Sequence, residues 1–214
     1  GAILEEARAG VEEVGLRKGW GKRVESWALR EVVPRPERLR RLVGLLGLVQ
    51  RLRLDRLARP LLPASLREKQ ELAPEVPPAS ERVRLPPRLP ASGELRGKVA
   101  LFEGCIVPEL FGRTNLATAR VLARNGFEVL VPPEQGCCGA LQAHSGEMGL
   151  ARDLARRNLD AFDPERVEAI VVNSAGCSAV LRELDRWFPG RAEAFAASVR
   201  DICEFLETAG IDPP

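Results

Sequence analysis

Long apolar runs are absent from this chain of 214 residues. The longest, Leu42–Val49, contains two glycines and is flanked by arginines, whereas a membrane-spanning helix needs about 20 predominantly apolar residues. Nothing in the sequence resembles a signal peptide, and five cysteines are too few for a disulfide scaffold in a chain of this length. We therefore expect a cytoplasmic protein whose thiols are reduced.

An excess of one charge is absent too. The 32 basic and 30 acidic residues leave a net charge of +2, which predicts no general attraction to nucleic acid or to an anionic membrane. The glycines near the cysteines do not form G-x-G-x-x-G, so nucleotide binding has little support, and the chain has no flavin fingerprint. The apolar share of 45% nevertheless supports a folded core.

Cysteine placement is the most informative feature that is present. Four cysteines each follow an apolar, strand-like run and precede a helical pattern: Cys105, Cys137, Cys138 and Cys177. The runs cover Lys98–Glu103, Phe127–Pro132 and Glu168–Asn173, and the helical patterns begin near Arg113, Ser145 and Ser178. This alternation predicts an α/β fold with a Rossmann-like parallel sheet and flanking helices. Ligands bind at the carboxyl edge of such sheets, so the cysteine-bearing loops should converge there.

A shared metal or redox site is the leading interpretation of these four thiols. A single cysteine is often a small buried hydrophobe, but four at strand ends, flanked by glycine, favour a common site. Glycines let the backbone pass close to a cluster, and the helix starts that follow would lower thiol pKa values and stabilise an anionic cluster. The alternatives are a disulfide between Cys137 and Cys138, and a structural site without metal.

The sequence around these cysteines resembles a known family. The stretches concerned are EGC (103–105), PPEQGCCGALQAHSGE (132–147), NSAGC (173–177) and RDICEFL (200–206). They resemble the cysteine-rich CCG domain of heterodisulfide reductases and of glycolate and lactate oxidoreductase iron–sulfur subunits, above all the glycolate oxidase type. The resemblance implies that the four cysteines hold an iron–sulfur cluster, expected to be [4Fe–4S]. It also implies a flavin-containing partner subunit that oxidises a 2-hydroxy acid.

One position departs from the fuller family pattern, which ends in C-x-x-C, because Val180 stands at its second cysteine. The first repeat of glycolate oxidase subunits is similar in this respect, so the departure fits that subfamily and argues against the five-cysteine cluster of heterodisulfide reductases. Four thiolates suffice for one cluster, although side chains of adjacent cysteines tend to point apart. Whole family members have ferredoxin motifs and two CCG domains. The resemblance therefore implies a fragment with the first CCG domain, whose partners include the ferredoxin-like and second CCG regions.

Other conspicuous residues receive plainer interpretations. Cys203 lies in a helical pattern that predicts core packing. His144, the only histidine, could ligate metal or bond a cluster sulfur, but an ordinary loop residue is the interpretation we favour. Asn173 and Ser174 are expected to hold the turn before Cys177 or to cap the helix that follows. The three tryptophans are predicted to pack on helices: Trp20, Trp27 and Trp187.

Composition divides the chain into residues 1–59, 60–97 and 98–214. The first part carries three helical patterns, Ile3–Val14, Lys22–Val33 and Glu37–Ala58. The third pattern is basic and amphipathic, so it can lie on a membrane surface or dock on an acidic partner, although an ordinary packed helix is the simpler interpretation. The second part holds eight of the 17 prolines, which argues against regular helix. It favours either a free linker or a strap over the α/β domain.

Two functions from different classes fit these observations. The first is a non-catalytic iron–sulfur electron-transfer subunit of a glycolate oxidase type complex, in which the separate flavoprotein oxidises the substrate. The second is a structural or partner-docking domain whose cysteines bind zinc or no metal. We also expect the fragment to self-associate, because large exposed apolar patches are rarely left uncovered.

Overall fold

The computed structural model describes residue 10 and residues 19–210. The helical pattern expected over Ile3–Val14 therefore lies outside the described residues except at Gly10. The first described part is helical: α1 (Trp20–Glu31), α2 (Pro36–Arg51), α3 (Leu54–Ala58), a 3-10 turn (Arg59–Leu61), α4 (Ala64–Glu71) and a second 3-10 turn (Ala79–Glu81).

The α/β part follows directly. Its elements are β1 (Arg88–Leu89), β2 (Gly97–Phe102), α5 (Val107–Leu110), α6 (Gly112–Arg124), β3 (Phe127–Leu130), α7 (Ala140–His144), α8 (Met148–Ala161), a 3-10 turn (Pro164–Arg166), β4 (Ala169–Val172), α9 (Ala175–Arg182), α10 (Leu184–Trp187), α11 (Glu193–Ser198), β5 (Val199–Asp201) and α12 (Ile202–Ala209). The three predicted strand runs are confirmed. The pattern expected near Ser145 corresponds to α8, which begins three residues later, and α9 begins three residues earlier than expected.

The sheet has five strands in the order β1-β3-β2-β4-β5. β2 pairs in parallel with both β3 and β4, and β4 pairs in parallel with β5. β1 pairs with β3 in the antiparallel direction, so the sheet is mixed and the expectation of a purely parallel sheet is wrong. Prolines at 86, 87 and 90 surround β1 and confine it to a two-residue strand, because proline cannot donate to a sheet ladder and is tolerated at an edge.

The inner strands are buried on both faces, which explains their continuous apolar sequences. Successive side chains point to opposite faces, so Leu101 packs with Leu122 and Phe205 on one side of the sheet. On the other side Phe102 packs with a second set of helices, against residues such as Leu181. Because both faces are covered, chemistry in the α/β part is left to the sheet edges.

The N-terminal helices are anchored on the cysteine side of the α/β part. Leu39 and Val43 of α2 form a small core with Val32, and Cys105 packs against it. The expected single helix over Glu37–Ala58 is wrong, because Arg53 has a left-handed backbone (φ 56°) that separates α2 from α3.

The proline-rich part, residues 60–97, contains a regular helix after all. α4 falls between Pro63 and Pro74, where proline stands at the helix start and beyond the helix end and interrupts no turn. Further along, Leu85 is buried in the sheet core and Leu89 packs beside it, as a strap would require. Leu72, by contrast, is exposed and does not anchor the segment.

Three residues that were expected to pack against other parts of the protein are exposed instead. Trp20 and Trp27 are exposed by 78% and 57%, so only Trp187 of the three tryptophans packs against the core. Cys203 is exposed at the start of α12. The helical pattern assigned to it began too early, since Val199 lies on β5 and the helix starts at Ile202.

Candidate metal centre

The four cysteines converge at the carboxyl edge of the parallel strands. Cys105 follows β2, Cys137 and Cys138 follow β3, and Cys177 lies in the first turn of α9 after β4. A hydrogen bond between thiols links Cys138 to Cys177, and the Cys137 sulfur lies close enough to Cys105 and Cys138 for each to shift its pKa. The sulfurs of Cys138 and Cys177 lie 3.2 Å apart. The side chains of the adjacent cysteines thus meet in one row, although adjacent side chains tend to point apart.

Gly104 shapes the loop that carries Cys105. Its φ of 72° is in the left-handed region, where residues with a Cβ are strained. A Cβ placed there would lie 3.4 Å from the Phe102 ring and 3.9 Å from the Cys177 sulfur. The glycine therefore turns the chain directly after β2 and keeps the space beside the thiols open.

Gly139 performs a different task after the paired cysteines. Its φ is 86°, and a Cβ there would lie 2.8 Å from the Ala151 carbonyl oxygen of α8. The glycine allows the cysteine loop to pack against α8, and its N–H donates to the Cys137 sulfur at 3.5 Å.

Asn158 of α8 makes two hydrogen bonds to the backbone of the loop that carries Cys137 and Cys138. Its Nδ2 donates to the Cys137 carbonyl at 2.9 Å, and its Oδ1 accepts from the Gly136 N–H at 2.9 Å. The side chain is fully buried. Sequence reasoning missed this residue, because an asparagine within a helical pattern carries no signal of the loop that it will meet.

Helix α1 packs against one side of the site and contacts two buried polar residues there, Gln142 of α7 and Glu147 at the start of α8. Gln142 is fully buried, donates to the Leu29 carbonyl at 3.0 Å, and places its side-chain oxygen 3.7 Å from the Cys137 sulfur. Glu147 accepts from Ser26 and Arg30, each at 2.5 Å. Burial tends to raise the pKa of Glu147, but these two partners outweigh it and hold the pKa below its ordinary value.

Asn173 anchors the end of β4 as expected for a residue that holds the turn. It accepts from Thr118 at 3.1 Å and donates to Asn115 at 2.8 Å, both on α6. Ser174 occupies the N-cap position of α9, yet its side chain makes no capping bond. The alternative expectation of a capping role is therefore wrong for this serine, whose hydroxyl instead lowers the pKa of Cys177.

Hydrogen bonding lowers the pKa of two of the four thiols and raises the pKa of the other two. Hydrogen bonds from Cys105 and Cys138 lower the pKa of Cys137 to about 4. The hydrogen bond from Cys138 likewise lowers the pKa of Cys177. The same bonds, with burial, raise the pKa values of Cys105 and Cys138. The lowered pKa values of Cys137 and Cys177 favour their thiolate forms, and thiolate is the form that binds metal.

Glu103 is the buried carboxyl nearest to this row in sequence. It is 6% exposed and accepts from the Leu85 N–H at 3.1 Å. Burial raises its pKa, against the opposing effects of that hydrogen bond and of Arg84. A cavity of about 170 Å³ lies beside Glu103 and is lined also by Cys105 and Cys137.

The donor set of the site decides which kind of metal group it suits. Within 19–210, and at residue 10, no group of three or more His, Cys, Asp or Glu side chains is arranged to hold a single metal ion. The thiols contact one another in a row and do not surround one point. Four cysteines without another ligand type match the donor set of an iron–sulfur cluster, so the residues present fit that group in number and kind.

The other candidate residues lie apart from this role. His144 is exposed at the end of α7. Cys203 is exposed on α12 and its N–H donates to Asp201, so it does not join the row. Val180, at the position of the family's second C-x-x-C cysteine, lies on α9 and is buried in the core.

Two models of known families match separate parts of the chain. Residues 99–182 match the model "CCG: Cysteine-rich domain". Residues 20–73, which include α1 to α4, match "Glycolate oxidase iron-sulfur subunit, linker region". The linker match begins at the helix that closes the site, which sequence reasoning had not connected with the cysteines.

Curated relatives extend the match over nearly the whole chain. A probable glycolate oxidase iron-sulfur subunit of Bacillus subtilis is 36% identical over 96% of this chain and 49% of its own length. A glycolate oxidase iron-sulfur subunit of Escherichia coli is 37% identical over 94% and 45%. A fumarate reductase (CoM/CoB) subunit from Methanothermobacter marburgensis is 34% identical over 51% and 21%. The chain thus spans about half the length of the two glycolate oxidase relatives.

No solved structure matches the chain. None of the helices in the described part of the chain is both long and apolar enough to span a bilayer.

Proposed function

Because the chain carries the cysteine-rich domain and the linker region of glycolate oxidase iron–sulfur subunits, we propose that it is an iron–sulfur electron-transfer subunit of a glycolate oxidase type complex. The observation that carries the proposal is the convergence of four cysteine sulfurs from three loops in one row, with Cys138 and Cys177 3.2 Å apart. Four cysteine thiolates are the usual protein ligands of such clusters.

The roles of the residues follow from their contacts. Cys105, Cys137, Cys138 and Cys177 are the proposed ligands of one cluster, which we expect to be [4Fe–4S] and which would accept and release single electrons when bound. Ligation needs all four thiols deprotonated, so binding displaces the protons that Cys105 and Cys138 keep. Asn158 and Gln142 position the loop of Cys137, and Gly139 donates to its sulfur, as hydrogen bonds do around clusters.

The strand order supports a site at this edge and a Rossmann-like parallel core. β2 lies between β3 and β4, so the connections after β2 and after β3 run in opposite directions across the sheet. Crevices form at the carboxyl ends of strands where such a reversal occurs, and ligands bind there. Free thiols at all five cysteines support the cytoplasm as the location.

A flavin-containing subunit is the proposed source of the electrons. Two relatives are named as glycolate oxidase iron-sulfur subunits, and this chain has no flavin fingerprint of its own. We therefore propose that the 2-hydroxy acid is oxidised on that separate subunit. A cluster held by the four thiolates would take up these electrons and pass them to other centres of the assembly.

Anaerobic purification, followed by reconstitution with iron and sulfide, tests the proposal. We expect brown protein, broad visible absorption that bleaches with dithionite, and about four irons and four sulfides per chain for a [4Fe–4S] centre. Serine at Cys105, Cys137, Cys138 or Cys177 should abolish or sharply reduce bound iron, whereas Cys203→Ser should retain it. Colourless protein after reconstitution would contradict the proposal. Stoichiometric zinc that depends on the same cysteines would support the structural alternative.

A further inference from the structure

We propose that residues 20–61 form a surface that binds anionic phospholipid bilayers, here termed the basic apolar surface. This stretch contains α1, α2, α3 and the turn Arg59–Leu61. It has eleven basic and four acidic residues and thus a net charge of +7, whereas the whole chain carries +2. The other residues are therefore acidic overall, and the positive charge is concentrated in this one part.

Exposed apolar side chains are concentrated in the same part. Of the 17 large exposed hydrophobic residues in the described chain, eleven fall within residues 20–61. They are Trp20, Val24, Trp27, Leu42, Leu45, Leu46, Leu48, Leu52, Leu54, Leu57 and Leu61. Apolar patches of this extent on a folded chain mark contact with a partner or a membrane.

Helix α1 presents its exposed apolar residues on a face other than the one that meets the α/β part. Ser26 and Leu29 face the α/β part, where they contact Glu147 and Gln142. Trp20, Val24 and Trp27 are spaced by four and three residues and share another face of the helix, which is exposed. Tryptophan is enriched where proteins meet the bilayer–water interface, because one end of its ring is apolar and the other polar.

Helix α2 has the same two-sided construction. Leu39 and Val43 are buried against the α/β part. Leu45 and the C-cap residue Leu52, which are 58% and 56% exposed, lie seven residues apart, away from this buried side. Since the helix is already anchored through its buried side, its exposed leucines are available to a second environment.

Unpaired arginines accompany these leucines. Arg40, Arg51, Arg53 and Arg56 form no ion pair with any residue that the structure describes. Arg40 also lines an open cleft of about 510 Å³ together with Arg82, whose Nε is buried without a hydrogen-bond partner. Three arginines and one carboxylate, Glu37, line this cleft, and guanidinium groups bind phosphate in a bidentate manner, so the cleft suits a lipid phosphate.

A bilayer surface is the occupant that these features favour. The exposed leucines and tryptophans are spread over three helices with arginines between them, as in helices that lie in the membrane interface. An anionic bilayer has an apolar interior that can take up the leucines and tryptophans, and a negative surface that attracts the arginines. It offers both over an area wide enough for three helices. The proposal concerns a surface distinct from the thiol row and does not depend on a bound cluster.

Co-sedimentation with lipid vesicles tests the proposal. The whole chain should pellet with vesicles of phosphatidylcholine and phosphatidylglycerol, and much less with phosphatidylcholine alone. Salt should weaken the binding, because the Debye length shrinks from about 10 Å at 0.1 M to about 3 Å at 1 M. The double variant Arg53→Ser/Arg56→Ser should bind about 25-fold more weakly, at about fivefold for each arginine near the surface. Arg120→Ser/Arg124→Ser, which removes two exposed arginines of α6, should bind as the parent does.

Apolar insertion is tested with Leu52→Glu and a matched control. Leu95 is 56% exposed, as Leu52 is, but lies outside the basic apolar surface. Leu52→Glu should weaken vesicle binding at least tenfold and leave the circular dichroism spectrum unchanged, while Leu95→Glu should bind like the parent. Equal losses in both variants, or equal binding to the two kinds of vesicle, would overturn the proposal. It would also be overturned if the parent formed oligomers without vesicles that Leu52→Glu dissolved, because a second copy would then cover the surface.

Discussion

The amide of Asn158 fixes the backbone of Cys137 from inside the protein. Its Nδ2 donates to the Cys137 carbonyl and its Oδ1 accepts from the preceding N–H, both at 2.9 Å. Without this amide the buried Cys137 carbonyl and the half-buried Gly136 N–H would lose these partners. Helix α8, which follows the loop in sequence, thus fixes the backbone that carries Cys137, one of the proposed cluster ligands.

Asn158→Ala should therefore destabilise the chain even when no metal is bound. The loss leaves the buried Cys137 carbonyl unpaired, at about 1–3 kcal/mol, and the half-buried Gly136 N–H at a smaller cost, so we expect a lower urea midpoint as well as reduced iron retention. Arg152→Ala, an exposed change on the same helix, should stay within about 0.5 kcal/mol of the parent. Unfolding free energies equal for both variants would show that the clamp contributes nothing.

The contact between α1 and Glu147 should make the free energy of unfolding fall as the pH is lowered. Its pKa is held low in the folded chain, so its contribution is complete at neutral pH and is lost as the pH falls below the unfolded value of about 4.3. Glu147→Gln should cost about 1–2 kcal/mol at neutral pH, toward the lower end because Arg30 is partly exposed. The difference from the parent should shrink in acid, as measured by urea unfolding across pH.

Glu165→Gln on the exposed surface is the control for that experiment, since it changes the same charge without a buried partner. A pH-independent difference between Glu147→Gln and the parent would mean that the Arg30 contact is not electrostatic in origin.

Glu103 should respond with the opposite sign. Burial raises its pKa, so the folded chain binds its proton more readily and the parent gains stability as the pH falls. Glu103→Gln keeps an oxygen that can accept from Leu85 and removes the buried charge, so we expect the variant to be more stable than the parent at neutral pH. That advantage should vanish below the native pKa. A less stable variant at neutral pH would instead assign the dominant role to attraction by Arg84.

Cys203→Ser should be silent. The residue is exposed, so the substitution buries no hydroxyl and should change the unfolding free energy by no more than about 0.5 kcal/mol. Calorimetry and iron content of Cys203→Ser beside Cys177→Ser provide the check. A loss of iron in the former would mean that the set of ligands is larger than four.

The strands and the meeting of the cysteines could be predicted, because both depend on local pattern. Buried parallel strands have continuous apolar sequences, as Ala169–Val172 has, and their carboxyl ends share one edge. The antiparallel β1 could not be predicted, since two residues among prolines carry no strand signal. Cys203 was misplaced because helix boundaries are weakly encoded, and a shift of a few residues turns a side chain to another face.

By itself the sequence determined the α/β character, the four thiols and their common edge. The spacing of apolar residues and the order of strands and helices along the chain can be identified without knowledge of tertiary contacts. Only the tertiary structure decided what surrounds them. Gln142 and Glu147 acquire their roles from α1, more than 110 residues away in the chain. Likewise, whether Trp27 is buried depends on which face of α1 meets the α/β part, and Ser26 and Leu29 take that face. Long-range packing sets such outcomes, because a helical pattern shows which residues share a face but not which face finds a neighbour.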